Sequence, residues 1–246
     1  MKAEVYEVAD IDRLCRQVAE LFMDHGRRAV TERGKYIVAL TGGSTVQPLY
    51  RYMAELEHRE DEASPWRDTF FFWGDERWVA ADHPDSNSGM AERLFLDPAE
   101  VPRENIFRIP TDLSNAAAGA AAYEATLRDF FRNGLSAGGF PVFDLILLGM
   151  GPDGHIASLF PGTDALAERE TWVTDSFPPE LSPAVPRVTL TLPVINRARM
   201  VLFLINGFAK RGIADLILTS PEKYSERYPA ALVRPEGRLV WVIAGD

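Results

Sequence analysis

Between Phe143 and Gly162 the chain reads FDLILLGMGPDGHIASLFPG, which places one carboxylate, Asp153, and one imidazole, His155, two residues apart on a glycine-rich turn. Histidine is the side chain whose ordinary pKa lies nearest neutrality, so it can take up a proton and return it. A carboxylate beside it orients the ring and stabilises its cation. The apolar run FDLILLGM is too short to span a membrane and reads as a strand buried on both faces. Gly149, Gly151 and Gly154 then turn the backbone at the carboxyl end of that strand, where open α/β sheets bind ligands. The other histidines are less favourably placed: His25 late on a helix, His58 in the charged run EHRED and His83 in a polar loop.

Gly149 to Gly154 also spells G-x-G-x-x-G, with Asp175 farther along as a candidate ribose-binding acid. A dinucleotide site needs a helix that begins inside the turn, and Pro161-Gly162 ends any helix within about two turns. Asp153 would also set a carboxylate against the pyrophosphate, so the dinucleotide reading is set aside.

A second chemical signal is Thr41-Gly42-Gly43-Ser44-Thr45, which follows the short apolar strand YIVAL and opens a helix. Glycines let backbone N–H groups approach an anion, the hydroxyls add donors, and the helix dipole favours negative charge. No Lys follows the glycines, which excludes a nucleoside-triphosphate P-loop and suits the phosphate of a small metabolite. A tight turn with Ser or Thr as helix cap fits the motif equally well. Gly74-Asp75-Glu76-Arg77 follows the strand TFFFW, and acid, acid, base at a strand end could orient a substrate; taken alone it reads rather as a solvated loop with a surface ion pair, which contributes little. Arg187, opening RVTLTL, and Lys210, in GFAKR after MVLFLI, bring positive charge near the ends of late strands. A parallel sheet would bring these segments to one rim. There is no G-x-S-x-G elbow, no H-E-x-x-H and no Cys/His cluster with zinc spacing. Proton transfer to and from a positioned water or substrate carbon is the chemistry that remains.

The elements that carry these groups belong to a chain of 246 residues, 46% hydrophobic and 25% charged, the composition of a soluble globular protein. Its formal net charge of −10 argues against non-specific nucleic-acid binding and requires a local positive site for any anionic substrate. No apolar run approaches the roughly 20 residues of a membrane-spanning helix. The N-terminal MKAEVYEVADIDRLCRQ is too polar and acidic for a signal peptide, and a lone Cys15 fits a reducing compartment. A cytoplasmic protein with no membrane or nucleic-acid partner is expected.

Ile11, Leu14, Cys15, Val18 and Phe22 follow helical spacing behind Asp10 as N-cap, which predicts a helix over 11–31. Helices are also expected from TGGST to about His58, over the alanine-rich 114–133, and after Gly207. Strands are expected at 36–40, 69–73, 187–192 and 200–205, with RLVWVI, ending at 243, as the last. Alternating strands and helices predict an α/β, three-layer fold with a mainly parallel sheet flanked by helices. A single domain over 1–246 is expected, with Phe177 to Pro186 as its flexible loop.

TGGST, FFWGDERWV with D-x-x-D-S-N following, FDLILLGMGPDGHIASLFPG, RVTLTLPVINRARMVLFLINGFAKR and PAALVRPEGRLVW run in one order over nearly the full chain. In this the sequence resembles the 6-phosphogluconolactonases, and G-M-G-x-D-G-H-x-A-S-L-F-P-G is the specific element of the match. The resemblance implies a modified Rossmann-like fold of the sugar-phosphate isomerase/deaminase type. It implies hydrolysis of 6-phospho-D-glucono-1,5-lactone to 6-phospho-D-gluconate in the oxidative pentose phosphate pathway, without metal or organic cofactor; the small phosphosugar lactone is the expected partner, and a monomer is expected. His155 is then the general base, Asp153 and Asp75 orient the site, and Arg77 lies close to the ligand. Gly42, Gly43, Ser44, Thr45, Arg187 and Lys210 hold the phosphate.

The related glucosamine-6-phosphate deaminases share the fold and are the rival reading. Ile156 after His155 follows their pattern, where the lactonases commonly carry Thr. ASLFPG does not: the deaminase pattern runs into A-F-N-E-P, and its carboxylate has no counterpart here. A non-catalytic sugar-phosphate sensor is the third reading. GGSTVQP also departs from the family's proline directly after GGST, which puts the helix start at Val46-Gln47 in question.

Overall fold

The computed structural model describes residues 3–56, 65–132, 139–178 and 184–245. Nine strands occur among them: β1 (Glu4–Val8), β2 (Tyr36–Leu40), β3 (Thr69–Trp73), β4 (Asp75–Arg77), β5 (Leu145–Leu148), β6 (Val173–Ser176), β7 (Arg187–Leu190), β8 (Met200–Ile205) and β9 (Arg238–Ala244). The helices are α1 (Ile11–Arg33), α2 (Val46–Leu56), α3 (Asn87–Ala91), α4 (Ala116–Phe130), α5 (Asp164–Ala167), α6 (Leu192–Asn196), α7 (Phe208–Thr219) and α8 (Pro221–Tyr224).

β2, β5 and β8 are apolar and buried at every position, as strands covered on both faces must be. They form the middle of a six-stranded, wholly parallel sheet in the order β1-β9-β8-β5-β2-β3. Helices flank it: α1 packs against α2 and β9, and Asp10 caps α1 by accepting from the Arg13 N–H at 2.8 Å. The α/β expectation, with a mainly parallel sheet, holds. One cluster of buried apolar residues runs through the sheet and its helices, with Phe22, Tyr36, Trp66, Phe71 and Phe95 in edge-on and tilted ring contacts.

A second, antiparallel sheet, β4-β7-β6, lies outside the expected pattern. Asp75 to Arg77 pair with Arg187 to Thr189, so GDER is not the solvated loop that its composition suggested. RVTLTL stops as a strand at Leu190 and turns into α6, where Pro193 occupies the first turn. β1 is a further addition to the expected strands: it is a half-exposed edge strand whose Val5 faces solvent, and it reads as polar N-terminal chain. The other expected helices are present with shifted ends, α4 beginning at Ala116 behind Asn115 as its cap. His58 and residues 179–183 of the expected flexible loop lie outside the described residues.

At the rim where β2 and β5 begin, Asp144 is buried. Its Oδ2 accepts from the Ile37 N–H at 2.9 Å, and Oδ1 lies 3.1 Å from Arg33 and 3.3 Å from Arg199. Asp144→Ala leaves the Ile37 N–H without its acceptor and takes a carboxylate partner from Arg33 and Arg199, and is expected to cost about 3 kcal/mol in urea unfolding. Any affinity for inorganic phosphate, read by calorimetry, should stay at the wild-type value, because the cluster lies at the end of the sheet away from the strands' carboxyl ends. A loss below about 1 kcal/mol would mean that water replaces the carboxylate at these donors.

Candidate active site

Parallel strands deliver their carboxyl ends to one rim. β2 and β5 are neighbours whose chains continue in opposite directions across the sheet, to β3 on one side and to β8 on the other. Such a switch point leaves a crevice between the two outgoing loops. A cavity of about 380 Å³ opens there. Gly42, Gly43, Ser44, Thr45, Asp75, Arg77, His155, Arg187 and Lys210 all line it, whereas Asp153 stands behind His155.

The turn after β5 is held by two backbone bonds, Gly154 N–H to Gly151 C=O and Gly151 N–H to His155 C=O, both 3.0 Å. It continues through turns to α5, so no helix begins inside G-x-G-x-x-G and no helix dipole faces the motif. The Asp153 Oδ1 lies 2.5 Å from His155 Nδ1 and also accepts the His155 backbone N–H at 3.2 Å. A carboxylate there assigns the proton to Nδ1 and leaves Nε2 as the ring's acceptor. Burial alone would raise the Asp153 pKa, but the hydrogen bond and charge of His155 outweigh it and hold the carboxyl below its ordinary range. Phe160 packs on the imidazole with ring centroids 4.7 Å apart. Gly151 is glycine for space: a Cβ there would lie 2.1 Å from the His155 ring.

Asp75 is buried, and its Oδ2 accepts from Ser158 Oγ at 2.7 Å. Glu76, which looked like half of a surface pair, is 1% exposed. Burial raises its pKa, opposed by the N–H groups of Ser88, Asn87 and Arg77 that it accepts. Arg77 donates from Nη1 to the Asp85 carbonyl at 2.7 Å, and its register partner across β4 and β7 is Arg187.

The loop after β2 is anchored from below, where the Tyr50 hydroxyl donates to the Thr41 carbonyl at 2.7 Å. Gly43 has φ 96°, a region open to glycine. α2 starts at Val46, directly after Thr45, and Pro48 falls in its first turn, where a missing N–H costs no helical bond. The departure at Val46-Gln47 therefore leaves the helix start in place. Among the described residues, Arg77, Arg187 and Lys210 face the cavity against the carboxylate of Asp75, a local positive site in an acidic chain. Among the described residues no group of three or more His, Cys, Asp or Glu side chains is arranged to hold a metal ion, and no helix is long and apolar enough to cross a membrane.

Asn87, Ser158 and Phe160 were missed as working parts of this site. Each lies inside a sequence motif, D-x-x-D-S-N or HIASLFPG, but nothing in the linear spacing says that Ser158 meets Asp75, 83 positions away.

Residues 9–241 match the family model described as glucosamine-6-phosphate isomerases/6-phosphogluconolactonase. A 6-phosphogluconolactonase of Synechocystis sp. is 43% identical over 216 residues, 88% of this chain and 85% of that protein. One of Nostoc sp. is 38% identical over 244 residues, 99% of this chain and 96% of that protein. The crystal structure of 6-phosphogluconolactonase from Thermotoga maritima superposes with a TM-score of 0.83 at 31% identity, covering 99% of this chain and all of that one.

Lys210 is half-buried, and burial lowers its pKa from the ordinary 10.5. A base whose folded pKa is depressed binds fewer protons folded than unfolded between the two values, so stability rises with pH across that window. Lys210→Met is therefore expected to be more stable than wild type at neutral pH without ligand. That advantage should shrink as pH rises toward 10.5, in urea titrations at a series of pH values. A variant less stable than wild type at neutral pH would show that a partner already compensates the ammonium.

Proposed function

We propose that this chain, which belongs to the glucosamine-6-phosphate isomerase/6-phosphogluconolactonase family, is a 6-phosphogluconolactonase that opens 6-phospho-D-glucono-1,5-lactone to 6-phospho-D-gluconate. The observation that carries the reading is the Asp153–His155 pair beside a cavity with a glycine loop and three cations. His155, its Nδ1–H turned to Asp153, takes a proton through Nε2 from a water that attacks the lactone carbonyl. It returns that proton to the ring oxygen as the tetrahedral intermediate collapses. Gly42 to Thr45, with Arg187 and Lys210, hold the phosphate, and that remote binding places the carbonyl against the base. Asp75, fixed by Ser158, orients the site, and Arg77 lies near the developing charge. The cations supply the charge stabilisation, so no metal or organic cofactor is invoked. The setting proposed is the oxidative pentose phosphate pathway of the cytoplasm, the enzyme acting as a monomer.

Ile156 is the one residue that favours a deaminase. It is fully buried and does not line the cavity, so its identity does not reach a substrate. Phe160 stands five residues after His155, where the deaminase pattern carries its carboxylate, and packs on the imidazole instead.

His155→Ala is expected to lower lactone turnover by about 10²–10⁴-fold while 6-phosphogluconate affinity, read by calorimetry, is kept. Turnover is followed with fresh lactone and a coupled 6-phosphogluconate dehydrogenase, the spontaneous opening subtracted. Ammonia release from glucosamine 6-phosphate by the wild type, without lactone acceleration, would make the protein a deaminase. Binding without turnover of either substrate would make it a sensor.

A further inference from the structure

Glu76 does more than fill space behind Asp75. Its buried carboxylate gathers one loop: Oε1 accepts from the N–H groups of Arg77 at 2.8 Å and Asn87 at 2.7 Å. Oε2 accepts from the Ser88 N–H at 2.7 Å and the Ser86 hydroxyl at 3.2 Å. A carboxylate receiving this many donors has no rotational freedom left, and it pins residues 86–88 to the strand that bears Asp75 and Arg77.

Asn87 is the outcome of that pinning. Its side chain reaches back to the same strand, Nδ2 donating to the Asp75 carbonyl at 2.9 Å, which orients the amide and turns Oδ1 to the other side. That other side is the glycine loop. A Cβ on Gly42 would lie 1.8 Å from Oδ1 and 2.3 Å from Cγ, so the amide rests directly on the Gly42 backbone. Gly42 has a glycine's bareness because Asn87 occupies the space of a side chain. The amide is buried, touches the cavity, and bridges two of its walls.

We propose that Asn87, held by Glu76, is a positioning residue that sets the phosphate loop at a fixed distance from the Asp75–Arg77 wall, so that energy gathered at the phosphate is felt at the reacting carbonyl. The proposal rests on the lactonase reading for its kinetic consequence, though not for the contact itself. The lactone ring fixes the carbonyl carbon relative to the ring carbon that carries the phosphate arm, the two flanking the ring oxygen. The carbonyl reaches attack distance, about 3–3.5 Å, only if the loop that grips the phosphate keeps its place relative to the catalytic wall. Asn87 can hold that spacing because it is locked twice, at its backbone by Glu76 and at its amide by Asp75.

The test compares wild type, Asn87→Ala, Gly42→Ala and the double variant. Asn87→Ala is expected to lose about 100-fold in kcat on the phosphorylated lactone with little change in KM, and far less on unphosphorylated glucono-1,5-lactone, which never used the phosphate grip. Glu76→Gln, which turns two acceptor lone pairs into donors, should show the same split. Affinity for inorganic phosphate, by calorimetry, should fall about tenfold or more in Gly42→Ala and recover in the double variant, whose alanine at 87 has no amide to displace. A Gly42→Ala protein that folds only together with Asn87→Ala supports the same coupling. Equal kcat losses on the two lactones, or a Gly42→Ala cost that is the same in both backgrounds, would overturn the proposal. Should the wild type open neither lactone, the lactonase reading falls and the phosphate cycle alone decides whether Asn87 sets the loop.

Discussion

The parallel register of β2, β3, β5 and β8 is the constraint from which the site follows. With Tyr36 beside Thr69, Val38 beside Leu145 and Ile146 beside Val201, the strands run the same way and end within one rim. Continuous burial makes that register hard to shift, because every position of β2, β5 and β8 faces apolar neighbours. The glycine loop, the acidic tripeptide and the histidine turn therefore meet although more than 100 residues separate Gly42 from His155. The small antiparallel sheet completes the arrangement by carrying Arg187 across from Arg77.

The same rim concentrates costs that the rest of the molecule must offset. Arg187 is buried and Lys210 half-buried, and for both desolvation is the leading influence on the charge. Asp75 and Glu76 support the Arg187 guanidinium, whereas burial is the cause that acts on Lys210. Ala157 takes φ 45° between His155 and Ser158, a conformation that a non-glycine residue adopts at some expense. Desolvated cations and a strained backbone position in a cavity that suits an anion are the features of a site organised before its ligand arrives. The remainder of the chain, acidic overall and deeply buried in its core, supplies the stability that this organisation consumes.

Local chemistry carried the main elements. The apolar stripe of α1 with Asp10 ahead of it, and the uninterrupted runs YIVAL, LILL and MVLFLI, are stretches where propensity, pattern and burial agree. Their agreement predicted α/β architecture, and the motifs at strand ends named nearly every group that now lines the cavity. Where the pattern is short or mixed it failed. β1 alternates weakly because an edge strand is solvated on one side, and GDER reads as loop because its pairing partner lies more than 100 residues away.

The sequence by itself thus determined what is encoded within a few neighbouring residues: which segments are strands and helices, where the backbone must turn, and which side chains have usable chemistry. Asp153 and His155 are two positions apart, so their pairing is legible in the linear chain. Only the tertiary structure decided the relations that depend on two distant segments occupying one place. It buried Glu76 that the sequence had left on the surface, set Ser158 against Asp75, and laid the Asn87 amide on Gly42. Such contacts leave no periodic or compositional trace, since the same residue types at the same spacing serve equally well as solvated loop; the packing of one wall against another makes them part of a site.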